Sequence, residues 1–265
     1  MRMAKKVLVM GLAIMFLAGG LAAASSHLSG PWYTDTSVYF GLDTALSGNA
    51  ELEQFGNDNT GNIIQSGKHF AHIGQGYDRT QDAWAFSENN LADIDQSGYA
   101  NEAEANQRGT YNNAWITQSG DSNYAGAGQH GTDMSADIDQ NAVDSFVRVS
   151  QWGGAGSEAL ITQAGNLNRI RTRQDGDDHF VKAEQSAESY FNYTTVEQSG
   201  ADQTAFVYQS GTENGAFVEQ KGDSNLADVE QAGKLNEAEV YQDGSGFSAF
   251  VNQNGNGNTS FVDQY

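Results

Sequence analysis

From about residue 51 to the end of the chain, polar and apolar positions alternate in short, evenly spaced runs. In the unit Gln220-Lys-Gly222-Asp-Ser-Asn225-Leu-Ala227-Asp-Val229-Glu-Gln231, every second residue from Asn225 to Gln231 is an amide or a small apolar residue. A period of two places Asn, Ala, Val and Gln together on one face of a β-strand. The opposite face carries residues such as Glu219, Asp228, Glu230, Glu237 and Glu239, which suit water and not a packed core. The amide and apolar face is therefore the inner one.

The alternation recurs with a fixed period. Glutamine stands at 54, 65, 75, 96, 107, 118, 129, 140, 151, 163, 174, 185, 198, 209, 220, 231, 242, 253 and 264, usually eleven residues apart. Asparagine marks a second place at Asn59, Asn101, Asn112, Asn123, Asn168, Asn214, Asn225, Asn236 and Asn258. Glycine follows two residues after most of the glutamines, including Gly98, Gly109, Gly120, Gly200, Gly211, Gly222, Gly233, Gly244 and Gly255. Self-similarity of this kind signals a repeat architecture. The Gly-x-x stretch tolerates positive φ and lets the chain reverse within a few residues, so each unit is one strand and one turn. Two units, 22 residues, close one coil of two facing strands. The expected fold is all-β: a β-solenoid of about ten coils with two facing parallel sheets in a cross-β stack, roughly 48 Å long at ~4.8 Å per layer.

Amides on an inner face need partners, because a buried unsatisfied amide costs about 1–3 kcal/mol. Stacking supplies them. A primary amide donates and accepts, so each side chain can bond its equivalents in the coils above and below, contributing ~0.5–1.5 kcal/mol net per bond. The residues expected in this inward ladder are Gln54, Gln65, Gln96, Gln107, Gln118, Gln129, Gln140, Gln151, Gln163, Gln174, Gln185, Gln198, Gln209, Gln220, Gln231, Gln242, Gln253 and Gln264, with the nine asparagines named above. Leucine would bury more area but set no polar register, and glutamate would stack like charges.

Composition agrees with this picture. The hydrophobic share is 38%, low for 265 residues, so order has to come partly from hydrogen bonding. The single proline, Pro31, precedes the repeats and interrupts no strand. Cysteine is absent, which removes disulfides, thiolate metal sites and cysteine nucleophiles. The formal charge of −21 makes nucleic acid an unsuitable partner.

The first residues have the three parts of a secretory signal: Arg2, Lys5 and Lys6, an apolar run from Val7 to Ala18, and Ala22-Ala23-Ala24. Cleavage is expected after Ala24, leaving residues 25–50 as an N-terminal segment and 51–265 as repeats. No later segment could span a bilayer as a helix.

Motifs of chemistry are weak. His27, His69, His72, His130 and His179 are scattered, and His69 and His72 would point to opposite faces of a strand. The acidic stretch Asp175-Gly176-Asp177-Asp178 suggests calcium, but calcium-binding β-rolls repeat at nine residues and not at eleven. Carboxylates lie in solvent-facing rows, where no desolvated acid and base pair forms. Arg169, Arg171 and Arg173 alternate onto one face, where local ion pairing with acidic neighbours is expected. Acids beside the ladder glutamines, including Asp95, Asp139, Glu184, Glu197, Glu219 and Glu230, either restrain aggregation or form ordinary solvated surface; Glu197 and Glu219, 22 apart, should stack. No catalytic, cofactor-binding or metal residues are assigned.

The recurring Gln-x-Gly-x-x-Asn-x-Ala-x-x-x-Gln spacing resembles the curlin repeat, over about residues 51–265. The resemblance implies a β-solenoid monomer that is not an enzyme, exported through the periplasm to the cell surface of a Gram-negative cell. It implies self-assembly into curli fibres of the biofilm matrix, serving adhesion and surface colonisation. The implied helpers are a nucleator subunit, an outer-membrane secretion channel and periplasmic chaperones. The chain departs from the family pattern at several places: the family's opening serine is irregular, the glutamine is missing around Phe86, and Ala142 and Ala187 replace turn glycines. A minor nucleating subunit and a monomeric β-solenoid adhesin are the alternatives. Residues 25–50 are either a secretion-targeting segment or a cap over the first coil.

Overall fold

The computed structural model describes residues 24–26, 36–42, 49–54, 56–78, 83–84 and 87–265. The expected signal segment lies, up to residue 23, outside them. The described residues are all-β, and their strands stack in parallel into two long sheets of 13 and 10 strands. The chain passes from one sheet to the other and back in each coil. Nine complete coils run from Asn49 to Asn256, and a half coil, Thr259–Gln264, follows.

Registration follows the 22-residue step. Gln107 lies opposite Gln129 in the larger sheet, and Gln118 opposite Gln140 in the smaller one. Along each strand burial alternates; in Leu226–Lys234 the residues Ala227, Val229 and Gln231 are buried while their neighbours are not. The apolar interior is thin and balances its volume within each coil. Ala103 and Ala105 share a coil with Ala114 and Ile116, and Ala125 and Ala127 with Ala136 and Ile138, whereas towards the C-terminus Ala216 and Val218 pair with Ala227 and Val229. Each fully buried Val or Ile is worth about 1.5–3 kcal/mol, so the interior holds the sheets together but does not by itself set which coil lies on which.

The turns explain the glycine spacing. Gly222 has φ 96°, and a Cβ placed on it would lie 2.0 Å from the carbonyl oxygen of Gly244 in the next coil. Both the conformation and the close approach require glycine there. A second left-handed residue stands just before the asparagine places other than that of His69, and this one is often not glycine: Tyr111, Leu167, Phe191 and Leu235 have φ of 56–59°.

The departures from the repeat have local solutions. Between Gln75 and Gln96 the chain leaves the stack, pairs Tyr77–Asp78 with Ala83–Trp84 as an antiparallel hairpin, and returns at Ser87–Glu88. Gly56 is in register with Ser87 and Thr110 with Glu88, so the missing glutamine marks an insertion and not a lost strand. Phe86 itself lies outside the described residues. Ala142 is not among the residues with positive φ, so its turn closes without a glycine. Ala187 belongs to a longer turn that closes with Ser189 N–H donating to Ser186 O at 2.9 Å.

Below the first coil, Ala24–Ser26 and Thr36–Leu42 stack in parallel register, with Ser26 opposite Leu52 and Leu42 opposite Gln65. The first of these strands spans the expected cleavage point, and the regular coils start at Asn49, two residues before the expected boundary. Among the described residues no helix is long and apolar enough to cross a membrane.

Candidate functional site

The repeated side chains meet inside the coils. All the ladder glutamines are buried except Gln264 in the last half coil, which is partly exposed. In the larger sheet Gln54, Gln75, Gln107, Gln129, Gln151, Gln174, Gln198, Gln220, Gln242 and Gln264 form an unbroken chain of Nε2-to-Oε1 hydrogen bonds of 2.5–3.2 Å. In the smaller sheet Gln65, Gln96, Gln118, Gln140, Gln163, Gln185, Gln209, Gln231 and Gln253 do the same at 2.7–2.9 Å. The ladders have a direction: every glutamine donates to the coil on its C-terminal side.

Most of the same Nε2 groups also donate across the interior to a main-chain carbonyl at the start of the facing strand. Gln107 reaches Leu91 O at 2.7 Å, Gln129 reaches Asn113 O at 2.8 Å, and Gln231 reaches Gly215 O at 2.8 Å. This bond between sheets is absent from the sequence pattern, because the alternation places residues on faces but does not show which carbonyl closes the end of the interior. One amide thus ties together the coil above, the coil below and the sheet opposite.

Asparagine works differently from the expected stack of equal side chains. Asn101 Nδ2 donates to Ser97 O at 2.7 Å and to Gly120 O at 2.9 Å, and its Oδ1 accepts the main-chain N–H of Asn123 at 2.9 Å. Asn214 repeats the arrangement with Ser210 O, Gly233 O and the N–H of Asn236. Side-chain to side-chain bonds between asparagines do form, at Asn59 and Asn90 and along Asn214, Asn236 and Asn258, but the general role is to staple the turn backbone of one coil to the next. The turns form some main-chain bonds between coils, such as Ser122 N–H to Tyr99 O at 2.8 Å and Leu235 N–H to Thr212 O at 3.0 Å, and the asparagines serve groups that these leave open.

Asparagine places also include positions that hold another residue or that an irregular step displaces from the pattern counted forward from glutamine. Asn90 and Asn192 occupy them, as do His69, Met134, Ser145, Ser157, His179, Gln203 and Phe247. Each lies six residues before the next glutamine. Insertions fall on the other side of this place, so counting back would have found them all. His69 imitates asparagine, with Nε2 on Ser66 O at 2.8 Å and Nδ1 accepting the N–H of Asn101 at 3.2 Å. His179 makes only the first of these bonds, to Asp175 O at 3.3 Å, and its Nδ1 is buried without a hydrogen bond. Burial lowers its pKa from the ordinary value, against the opposing pull of the Asp175 carbonyl and the nearby acids Asp177, Asp175 and Asp202. His72 is buried on the outer side of its strand, 3.8 Å from Glu53. No group of three or more His, Asp or Glu among the described residues is placed to hold a metal.

The two ends of the glutamine ladders are complementary, with Ala24–Ser26 and Thr36–Leu42 stacked below the first ladder coil. At the N-terminal end the Oε1 atoms of Gln54 and Gln65 are buried and accept no hydrogen bond. At the C-terminal end, Gln264 Nε2 has only the Ser248 carbonyl at 3.3 Å, and Val262 and Gln264 are partly open to solvent. On the outside, Glu197 lies in register with Glu219, and Glu219 is drawn to Lys221 at 2.5 Å.

A family model, the curlin associated repeat, matches residues 88–118, 191–222, 200–233 and 235–265. No curated protein matches the chain.

Proposed function

Because the chain is a curlin-repeat protein, we propose that it is the structural subunit of an extracellular, curli-like amyloid fibre that grows end to end. The observation that carries this reading is the polarity of the two glutamine ladders. One end holds buried acceptors with no donor, and the other ends in an open strand whose last glutamine faces solvent. At the C-terminal end an incoming copy pairs the open strand Thr259–Gln264, and at the other end a copy that displaces Ala24–Ser26 and Thr36–Leu42 supplies the amide donors the first ladder coil lacks. Growth then repeats the internal contact of the subunit and needs no new kind of interface.

In this reading residues 1–24 are removed on export, and residues 25–50 serve the secretion channel or cover the first coil until a neighbour arrives. Nucleator, channel and chaperones of the curli type supply export and timing, and the fibre serves the biofilm matrix and adhesion at the cell surface. Purified mature chain should grow from preformed seeds into fibres with reflections near ~4.7 Å along the axis and ~10 Å across it. A chain that stays monomeric in the presence of seeds sinks the proposal.

A further inference from the structure

The acidic chain carries one face of opposite sign. Arg148, Arg169, Arg171 and Arg173 project outward from two neighbouring strands of the larger sheet, Phe146–Ala155 and Arg169–Asp177, and all four are exposed. Two of them have local partners. Arg169 lies 5.0 Å above the ring of Phe146, and Arg173 meets Asp175 at 3.5 Å. Arg148 and Arg171 are in direct register and make no ion pair with the described residues. Like charges directly opposite one another in a sheet are destabilising, and the abundant acids of this chain are not used to relieve them.

Beside this pair runs a trough. Asn106, Gly128 and Ser150 follow one another across three strands and leave a row of small outward positions, about 10 Å long at the ordinary strand spacing. A Cβ on Gly128 would meet nothing closer than 3.9 Å, and a glycine inside a strand often marks the close approach of a ligand. Along one wall stand Glu104, Gly126 and Arg148, and Arg171 follows Arg148 on the next strand, where the trough ends. Along the other stands the exposed ring of Trp152, held edge-on by His130 at 5.4 Å. The wall near Tyr124 is fixed: its ring stacks on Phe146 at 4.9 Å, and its hydroxyl donates to Glu104 at 3.2 Å. Burial and the Glu104 carboxylate push the Tyr124 pKa up to about 12, so the hydroxyl stays a donor and adds no negative charge to the trough.

We propose that this trough binds a carboxylated polysaccharide, a chain of hexuronate residues lying along the stacking axis. Paired guanidinium groups match a carboxylate by bidentate hydrogen bonding. A flat apolar ring face opposite them suits the C–H face of a pyranose, and the row of small residues admits the ring between the two. The site lies within one subunit, so it does not depend on fibre growth.

The test is binding of polygalacturonate to the soluble full chain and, separately, to assembled fibres. Dextran serves as the neutral polymer and polyphosphate as an anion without sugar rings. Polygalacturonate should bind both forms, dextran neither, and polyphosphate more weakly. The double variant Arg148→Gln/Arg171→Gln and the single variant Trp152→Ala should each weaken binding about tenfold or more, while Lys182→Gln on the other sheet leaves it unchanged. Because all three side chains are at the surface, circular dichroism should show the parent fold in every variant. Absent binding, equal binding of polyphosphate, or equal loss in Lys182→Gln overturns the proposal. So does an effect of the double variant on fibre bundling alone, which would assign the face to another copy of the chain. Failure of seeded growth with sugar binding intact would count only against the fibre.

Discussion

The two corners of the coil use the same turn and treat the asparagine place differently. Where the chain passes from the smaller sheet to the larger, Asn101, Asn123, Asn168, Asn192, Asn214, Asn236 and Asn258 keep that place almost throughout, with His69 and Ser145 as exceptions. At the opposite corner Asn59, Asn90 and Asn112 give way to Met134, Ser157, His179 and Gln203 before Asn225 and then Phe247. The difference shows that the place has two separable demands. It must fill a buried corner, which methionine and phenylalanine also do, and it must bond the turn backbone of two coils, which only asparagine does fully. One corner is thus a nearly continuous staple and the other an interrupted one, in which Gln203 keeps the two donor bonds, to Ser199 O and Gly222 O, and Met134 and Phe247 only fill the place.

The sharpest way to break this comparison is to remove a staple from each corner. Asn214→Leu leaves the Asn236 N–H and the Ser210 and Gly233 carbonyls without their partner, and should cost about 3 kcal/mol in denaturant unfolding of the soluble chain. Met134→Leu, which changes only packing, should cost less than about 1.5 kcal/mol. Similar losses would show that both corners are merely packed.

A smaller effect comes from His179. It is buried and its pKa is lowered, so the unfolded chain takes up a proton at this group more readily than the folded one. Stability is therefore fully present above the unfolded value of roughly 6.5 and falls as pH drops below it, towards the lowered folded value. His179→Asn should flatten that part of the stability profile while supplying the second bond. An unchanged slope would mean that the histidine is not the titrating group. The smallest expected effect is a gain. Leu235 is 60% exposed and held at φ 56°, so Leu235→Gly should relieve left-handed strain and raise stability by about 1 kcal/mol. A loss of stability in the same melt would show that the side chain packs in a way its exposure hides.

Much of this was legible in the sequence because a solenoid converts sequence period directly into spatial neighbours. The alternation of Asn225, Ala227, Val229 and Gln231 fixes the inner face, and the 22-residue step fixes which glutamine meets which. The cross-interior bond from Gln107 to Leu91 O was not legible, since main-chain carbonyls leave no mark in the sequence. The asparagine places at Asn90 and Asn192 were hidden because the chain lengthens between glutamine and asparagine and keeps its length between asparagine and the next glutamine. The pairing of Arg148 with Arg171 was hidden for a similar reason: the extra residue in Gly153-Gly154-Ala155-Gly156 makes their separation 23 and not 22.

The central claim is that the glutamine ladder of one subunit is continued by the next. The most direct measurement is the elongation rate on preformed seeds for Gln264→Leu, beside Glu239→Gln as a change on the outer face. Loss of the terminal amide should slow elongation about fivefold or more, the equivalent of one hydrogen bond of ~1 kcal/mol, with the outer-face change near the parent rate. Equal rates for the two variants would contradict the ladder as the joining element.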